Sequence, residues 1–258
     1  MAKTLFVGDL HTKNGILTRV IEIAKNYQTV IFLGDYVDDW MGAPEFSKQL
    51  LETLIQFKLD NPGKVKLLLG NHDFSEWFGR PFACSGYNYL TSQLVAPIFA
   101  KYEDLFDIAY SPNNNAYLCS HAGFTKSWLN KYFQKPFERP YDIAKVVNYS
   151  FHHRKDQNCE DIFFGFGDVG YARGGYQDPS PLWADTVELI ADWFPAIQIV
   201  GHTPHKTVTF YNNYDQEIYF CDTFSTYQNG MDYGDSSLLT LDDHNFIKIG
   251  IDGKELPW

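Results

Sequence analysis

Five short stretches of the chain set Asp, Asn and His beside small residues: Gly8-Asp9-Leu10-His11, Gly34-Asp35-Tyr36-Val37-Asp38-Asp39, Gly70-Asn71-His72-Asp73, Ser120-His121-Ala122-Gly123 and Gly201-His202-Thr203-Pro204-His205. A single glycine-aspartate pair is an ordinary turn. Recurrence with different polar residues asks for a shared explanation. Asp, His and Asn make a hard-to-borderline ligand set suited to Mn, Fe or Zn. Cys84, Cys119, Cys159 and Cys221 are too scattered for a thiolate site or a disulfide framework. Asp9 and Asp35, brought to one place without a cation, would repel, so one would take up a proton or the pair would recruit a metal. A carboxylate bridging two ions about 3.5 to 4 Å apart removes that conflict.

The elements that must position these side chains are short apolar runs, each ending at a cluster. Thr4 to Val7, the run from Val30, Val65 to Leu69, Ala116 to Cys119 and Ile197 to Val200 read as buried strands. Ligands of open α/β sheets gather beyond the carboxyl ends of such strands. If all five share one sheet and one direction, their polar residues meet on one rim. Between the first strands, Ile16, Leu17, Val20, Ile21, Ala24 and Tyr27 predict a helix over about 13–27. Pro44 opens a second helix with a stripe of Phe46, Leu50, Leu51, Leu54 and Phe57, closed by Asn61-Pro62-Gly63. Consecutive right-handed crossovers then place three parallel strands side by side.

Residues of about 74–112 are aromatic-rich, with a helix expected near Ser92 to Phe106 and most rings read as core. A second irregular, aromatic-rich stretch, about 127–181, reads as an insertion or rim. Thr186 to Phe194 is expected to be a helix. Two hairpins follow, Thr207–Tyr211 with Glu217–Cys221 around a turn at 212–215, and Ser237–Leu241 with Phe246–Ile251, which add antiparallel strands and point to a second sheet.

At 258 residues and 45% apolar content, residues 1–258 read as one α/β domain carrying those two insertions. The net charge of −11 ranks nucleic acid last among partners, since such binding rests on neutralising phosphates. A strand that begins at once leaves no room for a leader, and no stretch suits a bilayer, so a cytoplasmic protein is expected. The oligomeric state has no signature in the pattern.

Taken in order over residues 8 to 204, the five motifs resemble those of the calcineurin-like metallophosphoesterases. The third and fifth are most similar to the branch containing the serine/threonine protein phosphatases and the bacterial diadenosine tetraphosphatases. The resemblance implies an α/β sandwich of two mixed sheets flanked by helices, and two divalent metal ions, manganese foremost with iron or zinc as the other candidates. It implies that Asp9, His11 and Asp35 hold one ion and that Asp35, Asn71, His121 and His202 hold the other. It casts His72 as the acid that protonates the leaving group, oriented by Asp38, while a metal-bridging hydroxide attacks phosphorus in line. The expected substrate is a phosphomonoester, carried by a protein or by a small nucleotide-type molecule. A nucleic-acid phosphodiesterase or nuclease, and a catalytically silent scaffold of the same fold, are the alternatives.

The chain departs from the family pattern at two places. Asp39-Trp40 stands where the protein phosphatases carry Arg-Gly, so the usual phosphate clamp is missing. Arg173, among Ala172-Arg173-Gly174-Gly175, is the best substitute, because glycines let backbone approach a phosphate; Arg80 is a poorer candidate. Pro204 occupies the second histidine position of a Gly-His-x-His motif, leaving His205 one residue late, as a ligand to the first ion or as a loop histidine.

Overall fold

The apolar runs ahead of the polar clusters are strands, and the computed structural model, which describes residues 3–40, 42–114, 116–133, 136–213 and 216–258, divides them between two sheets. The chain opens with β1 (Lys3–Val7), α1 (Asn14–Ala24), β2 (Thr29–Phe32), α2 (Pro44–Asp60) and β3 (Val65–Leu68). These are two consecutive βαβ units, with Leu5 opposite Val30 and Val30 opposite Val65 in parallel register. Next come α3 (Asn71–Phe78), α4 (Tyr89–Lys101), β4 (Phe106–Asp107), β5 (Ala109–Tyr110) and β6 (Leu118–Ser120). Then follow α5 (Lys126–Tyr132), α6 (Pro140–His152), α7 (Gln157–Gly165), α8 (Thr186–Asp192) and β7 (Ile197–Val200). The chain finishes with β8 (Thr209–Asn213), β9 (Gln216–Phe220), β10 (Leu238–Asp242) and β11 (Asn245–Ile249).

The first sheet runs β11-β10-β1-β2-β3-β4 and the second β5-β6-β7-β9-β8. Both are mixed, because the hairpins add antiparallel strands: β10 pairs antiparallel with β1, and β8 with β9. Successive residues of a strand face opposite ways. Phe6 of β1 and Ile31 of β2 therefore meet Cys119, Ile199 and Cys221 of the second sheet in an inner core. Leu5, Val7, Val30 and Phe32 turn outward to the helix-covered core. A strand buried on both faces carries no polar alternation, which explains the continuous apolar runs.

The helices hold by burial more than by capping. No side chain caps α1, a loss of about 1 kcal/mol, but Leu17 and Val20 are fully buried on one face and contribute about 1.5–3 kcal/mol each. The crossover helices thus fix where the strand ends lie. Among the described residues, no helix is long and apolar enough to cross a membrane.

Several expectations need correction. The condition of one shared sheet for all five cluster-bearing strands is not met, since β1, β2 and β3 lie in the first of the two expected sheets and β6 and β7 in the second. The stretch 127–181 is not irregular, since it contains α5, α6 and α7. Within α6, Ile143, Ala144, Val147, Ser150 and Phe151 are buried at helical spacing behind Pro140 at the first turn. The helix expected to end near Phe106 runs from Tyr89 to Lys101, started by Asn88, whose side chain accepts the Leu90 N–H; Phe106 belongs to β4. The helix expected to reach Phe194 stops at Asp192, because Trp193 leaves it to bridge Thr125. The turn expected at 212–215 lies partly outside the described residues.

Candidate active site

Loops leaving the carboxyl ends of β1 and β2 carry Asp9 and His11, and Asp35 and Asp38, while β3 leads through Gly70 into α3, whose first turn carries Asn71 and His72. Loops leaving β6 and β7 carry His121 and His202. The two sets meet across the seam between the sheets. Ligand atoms of Asp9, His11 and Asp35 lie within 4.8 Å of one another, as do those of Asp35, His121 and His202, so Asp35 belongs to both groups. Asn71 joins the second group: its Oδ1 is 2.9 Å from His121 Nε2 and 3.0 Å from His202 Nδ1, and those two nitrogens are 3.1 Å apart.

Close approach is built into the backbone. A Cβ on Gly70 would stand 2.0 Å from Asp35 Oδ1 and 2.5 Å from its backbone nitrogen, so glycine is required there, and one on Gly201 would stand 2.1 Å from Asp9 Oδ1 and push that carboxylate out of place. His11, Asp35, Asp38 and His202 all occupy the left-handed region, at φ of 38°, 53°, 71° and 66°. Such backbone persists only where surrounding contacts over-determine it. Asp73 supplies many of those contacts. Buried completely, it accepts the N–H groups of Gly70 (2.9 Å), Asp35 (2.8 Å) and Tyr36 (2.9 Å), stitching the loop after β3 to the loop after β2.

Hydrogen bonds assign the imidazole tautomers. His11 Nδ1 donates to the Asp38 carbonyl at 3.0 Å, which leaves Nε2 facing Asp35 Oδ2 at 3.7 Å. His121 Nδ1 donates to the Leu33 carbonyl at 3.0 Å, leaving Nε2 at 3.4 Å from the same oxygen. Anchoring one ring nitrogen while the other presents a lone pair is the usual arrangement of a metal-ligating histidine. Burial lowers the pKa of both His11 and His202, which favours the neutral, ligating form. Burial, with the charges of Asp222 and Asp35, pushes Asp9 well up. Burial also works to raise Asp35, but its interactions with the surrounding His121, His72 and His11 rings outweigh it and hold that carboxyl below its usual range.

This donor set fits divalent ions. Two ligands about 2.1 Å from one ion and at right angles are about 3 Å apart, the spacing seen among Asn71 Oδ1, His121 Nε2 and His202 Nδ1. Buried lone pairs this close repel one another unless a cation or proton lies between them. The oxygen and nitrogen donors suit a hard or borderline metal.

His72 takes a different place. Its Nδ1 donates to Asp38 Oδ2 at 2.8 Å, and its backbone N–H donates to Asp35 Oδ1 at 2.9 Å. Burial disfavours the imidazolium, yet the Asp35 charge and the Asp38 hydrogen bond together raise its pKa well above the usual value. The ring lines a cleft of about 200 Å³ whose wall also includes Asp39, Trp40, Arg173 and Trp183. Arg173 donates to Thr203 Oγ1 at 3.0 Å, and its Nε lies 2.9 Å from Asp185 Oδ2 in an ion pair whose alignment makes no hydrogen bond.

Two expected residues are not brought to the centre. His205 turns toward Thr186, with Nε2 3.3 Å from its Oγ1, and packs its ring 4.9 Å from Phe220, while Pro204 lines the cleft. Arg80 is exposed and lies outside the cleft wall. Two residues went unassigned in the sequence. Asp73 directly follows His72 but carried no role. Asp222 is buried, accepts the N–H and Oγ of Ser225 (3.2 and 2.8 Å), and faces Asp9 and His11 electrostatically. A signal for it existed, because Asp222 follows the apolar run of β9 just as the other clusters follow theirs.

A model of the family described as calcineurin-like phosphoesterase matches residues 2–233. Among solved structures, the cold-active protein-tyrosine phosphatase of the psychrophile Shewanella sp. is similar at 17% identity and a TM-score of 0.61, covering 99% of this chain and 80% of that one. A point mutant of a cold-active protein tyrosine phosphatase gives 16% identity and a TM-score of 0.60, with the same coverage. A putative diadenosine tetraphosphatase matches at 15% identity and a TM-score of 0.48, covering 96% of this chain and 93% of that one. At these identities the likeness concerns the fold. No curated protein matches the chain.

Proposed function

Because the chain belongs to the calcineurin-like phosphoesterase family, and is a hydrolase acting on phosphoric esters, we propose that it works as a dinuclear metal-dependent phosphomonoesterase. The observation that carries this reading is Asp35, a buried carboxylate common to both donor groups. Asp9, His11 and Asp35 would hold one ion, and Asp35, Asn71, His121 and His202 the other, with manganese foremost and iron or zinc as alternatives. Bound there, the ions would activate water and neutralise phosphoryl oxygens.

The chain's own residues do the rest. His72 Nδ1 is committed to Asp38, which leaves Nε2 to protonate the departing oxygen, and its raised pKa keeps the acid form available. Arg173, which lines the same cleft as His72, grips the phosphoryl group in place of the arginine absent after Asp38. A cleft of about 200 Å³ takes the phosphoryl group and the first atoms of its alcohol, which suits a phosphorylated side chain or small molecule. The charge of −11 disfavours nucleic acid, and four unpaired cysteines support a cytoplasmic, reducing setting.

The test is a substrate panel with and without metal. Chelated protein should be inert toward nitrophenyl phosphate, phosphopeptides and mononucleotides, and Mn should restore turnover. Full activity after exhaustive chelation would refute metal dependence. A higher kcat/KM for bis-nitrophenyl phosphate than for the monoesters would refute the monoester reading.

A further inference from the structure

Helix α3 begins with Asn71 and His72 and, one turn later, carries two buried polar side chains that serve a neighbouring loop. Ser75 Oγ accepts the N–H of Cys84 at 3.1 Å, and Glu76 Oε1 accepts the N–H of Asn88 at 2.7 Å. The loop closes on itself through the Tyr87 N–H, which donates to the Cys84 carbonyl at 3.2 Å. Both ends of segment 84–88 are therefore tied to adjacent positions of the helix that carries His72.

Between its ties, the segment lies against the Asp38–His72 pair. Cys84 Sγ is 3.7 Å from His72 Nδ1. Gly86, at φ 99°, approaches so closely that a Cβ would stand 2.4 Å from Asp38 Oδ2, the oxygen bonded to His72. Meanwhile Glu76 is fully buried and its Oε2 has no hydrogen-bond partner. A carboxyl buried with one oxygen unpaired is destabilising. What its other oxygen holds accounts for its presence.

We propose that segment 84–88, anchored by Ser75 and Glu76 and fitted to Asp38 through Gly86, is a positioning strap for the His72–Asp38 pair. The inference rests on the reading of His72 as the leaving-group acid. With Cys84 and Gly86 covering one side of the shared Nδ1–carboxylate bond, Asp38 keeps to Nδ1, and Nε2 is left to the substrate. Loosening the strap lets the carboxylate turn away, and the imidazole then loses the orientation that points Nε2 at the leaving group. Leaving groups that need a proton suffer, and those that depart unaided do not.

The experiment compares Gly86→Ala, Glu76→Ala, Glu76→Gln and His72→Asn in Mn-loaded protein, on an alkyl phosphate and on nitrophenyl phosphate. A positioned acid contributes about 100- to 10,000-fold. Gly86→Ala and Glu76→Ala should each lose at least about tenfold more on the alkyl ester than on the nitrophenyl ester, with metal content per chain unchanged. Glu76→Gln, whose amide oxygen still accepts the Asn88 N–H, should recover most of that loss. Equal losses on both esters, or none, in Gly86→Ala while His72→Asn discriminates would overturn the strap alone. Equal losses in His72→Asn would sink the acid reading itself. A second readout needs no turnover: iodoacetamide should alkylate Cys84, located by peptide mapping, at least about tenfold faster in metal-free Glu76→Ala than in the parent. Unchanged thiol rates would overturn the anchoring.

Discussion

Replacing Asp73 by Asn removes one charge and one acceptor from a buried carboxylate that binds the backbone of two loops at once. Its Oδ2 accepts the N–H groups of Gly70 and Asp35, and its Oδ1 accepts that of Tyr36. An amide oriented to keep the first two bonds sets its own NH2 against the Tyr36 N–H. The lost charge-assisted bond is worth about 1.5–3 kcal/mol, and the two that remain weaken to about 1 kcal/mol each. An offset applies, because burial and the charge of Asp35 lift the Asp73 pKa to about 7, and a neutral side chain relieves that strain. About 2 kcal/mol of net destabilisation remains, which for a protein of this size lowers Tm by roughly 4–8 °C. Asp73→Ala orphans the three close N–H groups, together with the weaker Val37 N–H that Oδ1 accepts at 3.4 Å, and should cost at least about 3–9 kcal/mol, a large share of ordinary protein stability. Calorimetry on chelated protein measures both variants without interference from bound metal. An Asp73→Asn shift below about 1 °C, or an Asp73→Ala variant as stable as Asp73→Asn, would show that the loops hold without this carboxylate.

Other outcomes follow from the same geometry. Asp35→Asn should leave fewer ions per chain than Asp9→Asn, because Asp35 alone belongs to both donor groups, and elemental analysis of the two variants decides the ranking. Arg173→Lys keeps a charge but loses the planar fork, so kcat/KM should fall by about tenfold or more with weaker inhibition by inorganic phosphate, whereas Arg80→Lys should change neither. The Glu76 carboxyl is raised by burial to about 7, so the folded state holds a proton that the unfolded state releases near 4.5, and this contribution to stability fades as pH rises from 4.5 toward 7. The unfolding free energy of Glu76→Gln relative to the parent should therefore increase between pH 5 and pH 8; an unchanged difference would contradict the buried-carboxyl account.

The parts of this molecule legible in its sequence are those whose physics is local. A glycine followed by Asp, Asn or His after an apolar run marks a strand end with a tight loop, and those clusters are the ones the structure gathers around Asp35. The C-terminal hairpins and the family resemblance pointed to two sheets, but which cluster-bearing strand belongs to which sheet was not legible, because strands buried on both faces show no alternation from which a facing partner could be read. The helices of 127–181 were hidden by aromatic residues, whose spacing identifies a buried face only once Phe151 and its neighbours are seen to pack against the rest of the core. His205 shows the limit from the other side: its type fits a ligand, but its offset by one residue turns it to Thr186. Asp222 was overlooked because β9 reads as half of a hairpin, although its other neighbour is β7, parallel to it.

The seam between the sheets has a mechanical consequence. Asp9, Asp35 and Asn71 arrive from one sheet and His121 and His202 from the other, and the His202 N–H already donates to Asp9, 193 positions earlier in the chain. An ion held by this set is a cross-link that closes very long loops, and it works only in the folded chain. At a thousandfold excess over its dissociation constant, one such ligand adds about 4 kcal/mol to stability. Metal affinity thereby becomes a gauge of how the two sheets are seated on each other. A substitution deep between them, at Ile31 or Ile199, should be felt as weaker metal retention even though neither side chain is a ligand.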